Sequence, residues 1–196
     1  MSSDIPDEQT LQSASELTIY DSKGEEVKFG SLFEDSKTVV VFIRHFFCGA
    51  CQGYVSKLAE IPQSALDAAN VKLTVVGCGE WVAIETYSEL SKFSGPIFAD
   101  PSRKLYHVLG MAESLSRTPA GQERRSYLSN PISTAIKGAW KALQHASLIG
   151  KQGNISQNGG EFIFGPGKTC TFASRMQHSE DHVEVNMLME AARVNM

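Results

Sequence analysis

Apolar and polar positions fall into two regimes along the chain. VVVFI at 39–43 and VKLTVVGC at 71–78 are near-continuous β-branched runs, the pattern of strands buried on both faces. Between them Tyr54, Val55, Leu58 and Ile61 recur at helical spacing, and Pro62 suits the start of a second helical piece running to Ala69. The amphipathic stretch 82–93 predicts a helix, PIFADP at 96–101 a short strand ending in a turn, and 104–109 a short helix closed by Gly110. Upstream, LTIYDSKGEEVKF sets two short runs around Asp21-Ser22-Lys23-Gly24, a hairpin signature. Downstream, EFIFGPGKTCTFA predicts a closing hairpin about Gly165-Pro166-Gly167. Strand–helix–strand–helix–strand is the order of an α/β sheet with right-handed parallel crossovers.

The remaining segments are less regular. Residues 1–14 are polar and acidic and read as a flexible N-terminal arm, leaving 15–196 as a single domain. An excursion over 112–155 interrupts it. Its first part, to 131, is turn-rich; 132–149 carries an apolar helical stripe (Ile132, Ile136, Ala139, Trp140, Leu143, Leu148). A final helix is expected over 179–194, with Ser179 as N-cap and Glu180 and Asp181 at its positive end. No internal repeat or low-complexity tract is present.

Composition narrows the function. The chain has 196 residues, 42% hydrophobic and 20% charged, enough for one domain with a real core. A net charge of -4 argues against nucleic-acid binding, which requires a basic face. The first residues lack a basic n-region and an apolar h-region, and no apolar run approaches the ~20 residues of a membrane span. A cytoplasmic location follows as the expectation. Four cysteines (48, 51, 78 and 170) are too few for a disulfide framework in a chain of this length. In a reducing compartment a close pair among them is catalytic or metal-binding.

That pair is Cys48-Gly49-Ala50-Cys51, placed where a buried strand ends and a helix begins. Unpaired N–H groups at a helix start lower a thiol's pKa, and two thiols three positions apart can close into a disulfide, a reversible two-electron couple. The competing reading is half of a zinc site, but a second Cys-x-x-Cys or Cys/His pair is missing. Arg44 and His45 just upstream add cationic or proton-relay character. Cys78, ending the second long strand, reaches the same sheet edge; it is a third thiol near the site or a small buried hydrophobe. Cys170 reads as structural. His178 and His182 have the i, i+4 spacing of a metal-binding helix without a glutamate at the catalytic position, so a solvated helix start accounts for them and no metal is expected. Phe46, Phe47 and Trp81 are expected to give the site an apolar wall.

These segments together resemble the thioredoxin fold, and within it the peroxiredoxin-like superfamily. LTIYDSKGEEVKFGSLFEDSKTVVVFIRHFFCGAC is similar to that family's opening hairpin, first core strand and cysteine loop. PIFADPSRKLYHVLGM resembles its "ADP-x-x-K/R" strand and short helix, and NGGEFIFGPGKTC resembles the peroxiredoxin-like 2 (AhpC/TSA antioxidant) branch, which includes prostamide/prostaglandin F synthase. The resemblance implies an α/β thioredoxin fold with a central mixed β-sheet flanked by helices and a helical insertion. It implies a thiol-dependent oxidoreductase reducing hydroperoxides or disulfides through Cys48 and Cys51, with no bound cofactor and an external thiol reductant of the thioredoxin or glutathione type. A homodimer is left open. Alternatives are an endoperoxide reductase and a redox-sensing or regulatory binding protein.

The departures from the family bear on mechanism. Aligned on Pro-x-x-x-Thr/Ser-x-x-Cys, the family's proline, threonine and cysteine fall on Arg44, Cys48 and Cys51, and a later arginine falls on Gly159. Thioredoxin's Trp before the pair is Phe47, and Asn158-Gly159-Gly160 occupies its cis-proline junction, where glycines would let a substrate backbone approach. Thioredoxin-like use makes Cys48 the attacking thiol; peroxiredoxin-like use makes it Cys51, the order the superfamily resemblance favours.

Overall fold

The computed structural model describes residues 4–128 and 146–195. The long β-branched run forms β3 (Lys37–Phe42), following β1 (Thr18–Tyr20) and β2 (Glu26–Lys28). β4 (Val71–Gly77) and β5 (Ile97–Ala99) follow, then β6 (Gly160–Gly165) and β7 (Thr169–Arg175). They make one seven-stranded sheet in the order β2-β1-β5-β4-β3-β6-β7. β3, β4 and β5 run parallel, and β6 and β7 extend the sheet antiparallel, so it is mixed, as expected.

Helices cover both faces because the central strands are apolar on both. Val39, Val41 and Ile43 point into one layer with α2 (Gly49–Leu58), α4 (Ile84–Ser91) and α6 (Val185–Ala192). Val40 and Phe42 point into the other, with Phe162, Phe164, Leu11 of α1 (Glu8–Ser15) and Leu105 and Tyr106 of α5 (Lys104–Val108). α3 (Gln63–Ala68) starts after Pro62 as the pattern predicts. In the β1–β2 turn Asp21 Oδ1 accepts the N–H groups of Lys23 and Glu25, and Gly24 takes φ +81°.

Two expectations are corrected. Within the stretch read as an arm, residues 8–15 form α1: Asp7 caps it by accepting the Thr10 N–H at 2.8 Å, and Leu11 and Ala14 dock into the core. Only two of its apolar positions face inward, so its surface composition hid it. The last helix begins at Val185 rather than Ser179. The polar residues that resembled a cap are instead used in tertiary contacts: Asp181 accepts the Gln177 N–H and the Arg125 guanidinium, and Glu180 the Thr118 hydroxyl. The helix predicted over 82–93 forms as α4, with a 3-10 turn, Trp81–Ala83, leading into it.

Most of the apolar stripe at 132–149, Trp140 included, lies outside the described residues; Ala146–Leu148 is a 3-10 turn. The excursion leaves and re-enters through a hydrogen-bonded neck. Asn158 N–H donates to Ala112 O, Ser114 N–H to Ser156 O, and Glu113 bridges Gln157. No described helix is long and apolar enough to cross a membrane.

Candidate active site

The site is built on the carboxyl ends of β3 and β4. Tyr106 binds them together there, its buried hydroxyl 2.7 Å from Ile43 O and 2.9 Å from Val76 O. Past this point β3 gives way to Arg44-His45-Phe46-Phe47, and Cys48 is the N-cap of α2. An N-cap side chain accepts from the first helical N–H groups. Cys48 Sγ does so, taking the Cys51 N–H at 3.3 Å. Cys51 lies in the first turn with its sulfur 2.7 Å from that of Cys48, close to the ~2.05 Å of a disulfide. The two thiols are 5% and 0% exposed.

Arg44 serves both sulfurs. Its main-chain N–H points at Cys51 Sγ (3.4 Å) and its Nη1 at Cys48 Sγ (3.7 Å), while Nη2 is anchored on the carbonyl of Ile155 at 2.5 Å. Among the described residues the buried guanidinium Nε–H has no hydrogen-bond partner, nor has His45 Nδ1.

These neighbours split the two thiols. The hydrogen bond from Cys51 holds Cys48 well below the usual thiol range; the charges of His45 and Arg44 and the Cys51 N–H add to it against the penalty of burial. Burial pushes Cys51 well above that range, reinforced by its bond to Cys48 and by the Cys48 charge. His45 is itself pushed down by burial and by Arg44, toward neutral imidazole. The permanent positive charge is therefore Arg44. The surroundings therefore favour the thiolate at Cys48 and the thiol at Cys51.

The other candidates separate clearly. Cys78 is buried at the same edge, its thiol donating to Arg44 O at 2.9 Å, and burial raises it to about 11. It buttresses Arg44 from below. Cys170 is distant in sequence and space from that edge, on β7 at the far side of the sheet, its thiol donating to Phe172 O. Gly159 does not open toward a substrate: it is buried, and a Cβ there would lie 1.9 Å from Phe42 O, so the close approach glycine permits is to the neighbouring strand. The apolar wall is also corrected. Phe46 turns inward over Gly77 and packs edge-on to Tyr87, Phe47 is half-buried on the core, and Trp81 lies across Gly24. The apolar side chain beside the Arg44 anchor is instead Ile155, 54% exposed.

His178 and His182 are not on a helix. His182 is fully buried and bonded to Glu161, and His178 Nε2 lies 3.8 Å from Asp181. Among the described residues no group of three or more His, Cys, Asp or Glu is placed to hold a metal ion. Sequence reasoning missed the Ile155 carbonyl, which no side-chain pattern can signal, and the Glu161–His182 pair. A charged residue inside the apolar run EFIF was the available clue to the latter.

A dithiol at the carboxyl end of the first core strand, backed by a mixed sheet with helices on both faces, defines a thioredoxin-fold protein of the peroxiredoxin type. The AhpC/TSA antioxidant enzyme family profile matches residues 57–178. Peroxiredoxin-like 2C of Homo sapiens is 38% identical over 179 residues, covering 91% of this chain and 78% of the human protein. The chain belongs to this AhpC/TSA family, in its peroxiredoxin-like 2 branch. More distantly, it is 26% identical over 173 residues (86% of this chain, 80% of the relative) to the prostamide/prostaglandin F synthase of Aquarana catesbeiana. A peroxiredoxin 6 of Arenicola marina shares the fold at a TM-score of 0.61 and 18% identity, with 91% of this chain and 69% of that one covered. The profile match begins at Lys57, after both cysteines, so the chemistry of the pair is argued from its own geometry.

Proposed function

We propose that the protein is a thiol-dependent oxidoreductase that reduces hydroperoxides, with Cys48 attacking and Cys51 resolving. The observation that carries this is the convergence on Cys48 Sγ of the Cys51 thiol, the Cys51 N–H and the Arg44 guanidinium. It reverses the order taken over from the peroxiredoxin alignment, because the threonine position is here the sulfur that the helix start and the arginine favour as thiolate.

The steps balance as follows. The Cys48 thiolate attacks one peroxide oxygen, the O–O bond breaks, and the departing alkoxide takes a proton from solvent, leaving a sulfenic acid and an alcohol. Cys51 then attacks the Cys48 sulfur; its proton leaves with the hydroxyl as water, and the Cys48–Cys51 disulfide forms. Two electrons and two protons from an external dithiol or two glutathiones regenerate the pair. Developing alkoxide charge needs a donor in place. Arg44 Nε–H, buried and unpaired among the described residues, is that donor, supplied from the position where the family has proline. A cytosolic thioredoxin-type or glutathione reductant fits a couple of this kind.

The same two-electron cleavage of an O–O bond serves an endoperoxide, a second reading favoured by the similarity to prostamide/prostaglandin F synthase. The test is single-turnover oxidation of the reduced protein by hydrogen peroxide, a lipid hydroperoxide and an endoperoxide, followed by mass spectrometry. Cys51→Ser is expected to trap a sulfenic acid on Cys48, and Cys48→Ser to lose the fast phase. If the wild type reacts no faster than a free low-pKa thiol, the peroxidase reading is wrong and disulfide exchange or redox sensing takes its place.

A further inference from the structure

A second buried polar assembly lies under α2, and the chemistry above does not use it. Glu161 and His182 are both fully buried, Oε1 to Nδ1 at 2.5 Å. Glu161 stands in β6 opposite Val41 of β3, on the face of the sheet that α2 covers. A carboxylate–imidazole pair here gives up the hydration of both groups, and well-packed apolar residues of the same volume commonly do as well or better. Packing alone gives no reason for it.

Its contacts lead to the cysteines. The His182 ring lies flat on Tyr54, centroids 4.4 Å apart and planes 2° from parallel. Tyr127 meets Tyr54 and His182 with tilted rings at 5.0 and 6.1 Å, and its hydroxyl accepts the His182 main-chain N–H at 2.9 Å. Tyr54 is one turn beyond Cys51 on the same buried face of α2. Stacked rings can slide over one another, whereas a hydrogen bond is directional. The carboxylate therefore fixes the imidazole, and the imidazole fixes the Tyr54 ring, one turn along α2 from Cys51.

We infer that Glu161 and His182 are positioning residues of the thiol couple, holding Tyr54 and with it the first turn of α2 so that the Cys51 sulfur stays within bonding reach of Cys48. This rests on the reading of Cys48 and Cys51 as a redox couple. Disulfide closure demands a narrow range of Cβ separation and dihedral angle. A first turn free to shift by a fraction of an ångström spends less of its time in that range, and the effective concentration of one thiol at the other falls.

The reduced protein is equilibrated in glutathione buffers, acid-quenched, and the Cys48–Cys51 disulfide fraction read by mass spectrometry. His182→Phe keeps the stack on Tyr54 and loses the hydrogen bond; Glu161→Gln keeps an acceptor for Nδ1. The equilibrium constant for disulfide formation is expected to fall about tenfold in His182→Phe, about 30 mV in potential, and by less in Glu161→Gln. A pair that only supports the fold lowers Tm and leaves this constant within about twofold, which overturns the inference. Should both variants fail to fold, the wild type still decides it. The His182 Nδ1–H resonance is expected at different shifts in the reduced and oxidised forms, and coincident resonances overturn the inference equally. Wild-type protein that forms no Cys48–Cys51 disulfide in any buffer removes the redox reading first and the positioning role with it. A disulfide that forms normally in every variant removes the positioning role alone.

Discussion

Cys48 and Cys78 lie at the carboxyl ends of adjacent parallel strands, both buried, both against Arg44, and they are driven in opposite directions. Cys48 meets donors: the guanidinium, a helix N–H and another thiol. Cys78 meets an acceptor, the Arg44 carbonyl, and its burial keeps the proton on the sulfur. Burial alone therefore does not make a thiol inert, nor does the functional edge of a sheet make it reactive. Burial pushes both thiols up; the donors gathered on Cys48 overcome it, and Cys78, turned to the Arg44 carbonyl, has no comparable set.

The largest expected effect is on Cys48 itself. Cys48→Ser should slow oxidation by hydrogen peroxide by at least about a hundredfold in stopped-flow measurements, since no other thiol is held as thiolate. Arg44→Met, which keeps the stem and removes the charge, should lower that rate by about tenfold and move the midpoint of Cys48 alkylation by iodoacetamide upward in pH. An unchanged midpoint would mean that the helix start and Cys51 suffice without the arginine.

The Cys78 side of the contrast is read in stability. Burial raises this thiol from 9.0 to about 11, so the folded protein keeps a proton that the unfolded chain sheds. Its contribution is complete below about pH 9 and is lost as pH rises toward about 11, by about 2–3 kcal/mol. The difference in urea unfolding between wild type and Cys78→Ala at pH 8 and pH 11 isolates it. Cys48 has the reverse sign: its contribution is present in alkaline solution and shrinks as pH falls through the depressed folded value.

Gly153 probes the covering loop. It takes φ +99°, and a Cβ there would lie 2.6 Å from Cys78 Sγ. Gly153→Ala should destabilise by about 1–3 kcal/mol, lowering Tm by several degrees in a scanning measurement. Least affected is the oxidation rate of Cys78→Ser, expected within about threefold of wild type. A larger loss would show that the Arg44 carbonyl needs its sulfur partner for the guanidinium to stay in place.

Where a residue's role is set by its neighbours in sequence, the chain was readable. The β-branched run 39–43, the cysteine pair at the following helix start and the hairpin about Gly165 all follow from local pattern, and they locate the site. Roles set across the fold were not readable. Ser179, Glu180 and Asp181 look like a helix start, yet Glu180 and Asp181 accept donors from Thr118 and Arg125, more than fifty residues away. Gly159 looked like an opening for substrate until β3 was found against it. Which thiol carries the charge also depends on Arg44 turning back toward Cys48, a choice of rotamer that spacing does not encode.

The neck that closes the excursion has an evolutionary corollary. With residues 112–114 zipped to 156–158, the ends of the segment stay together whatever lies between them. Doubling the length of a flexible loop adds only about 0.6 kcal/mol of closure entropy. Lineages can therefore lengthen, shorten or exchange the material inside this neck at little energetic expense. The last few residues before it are the exception, because the Ile155 carbonyl must return to the same point to meet Arg44.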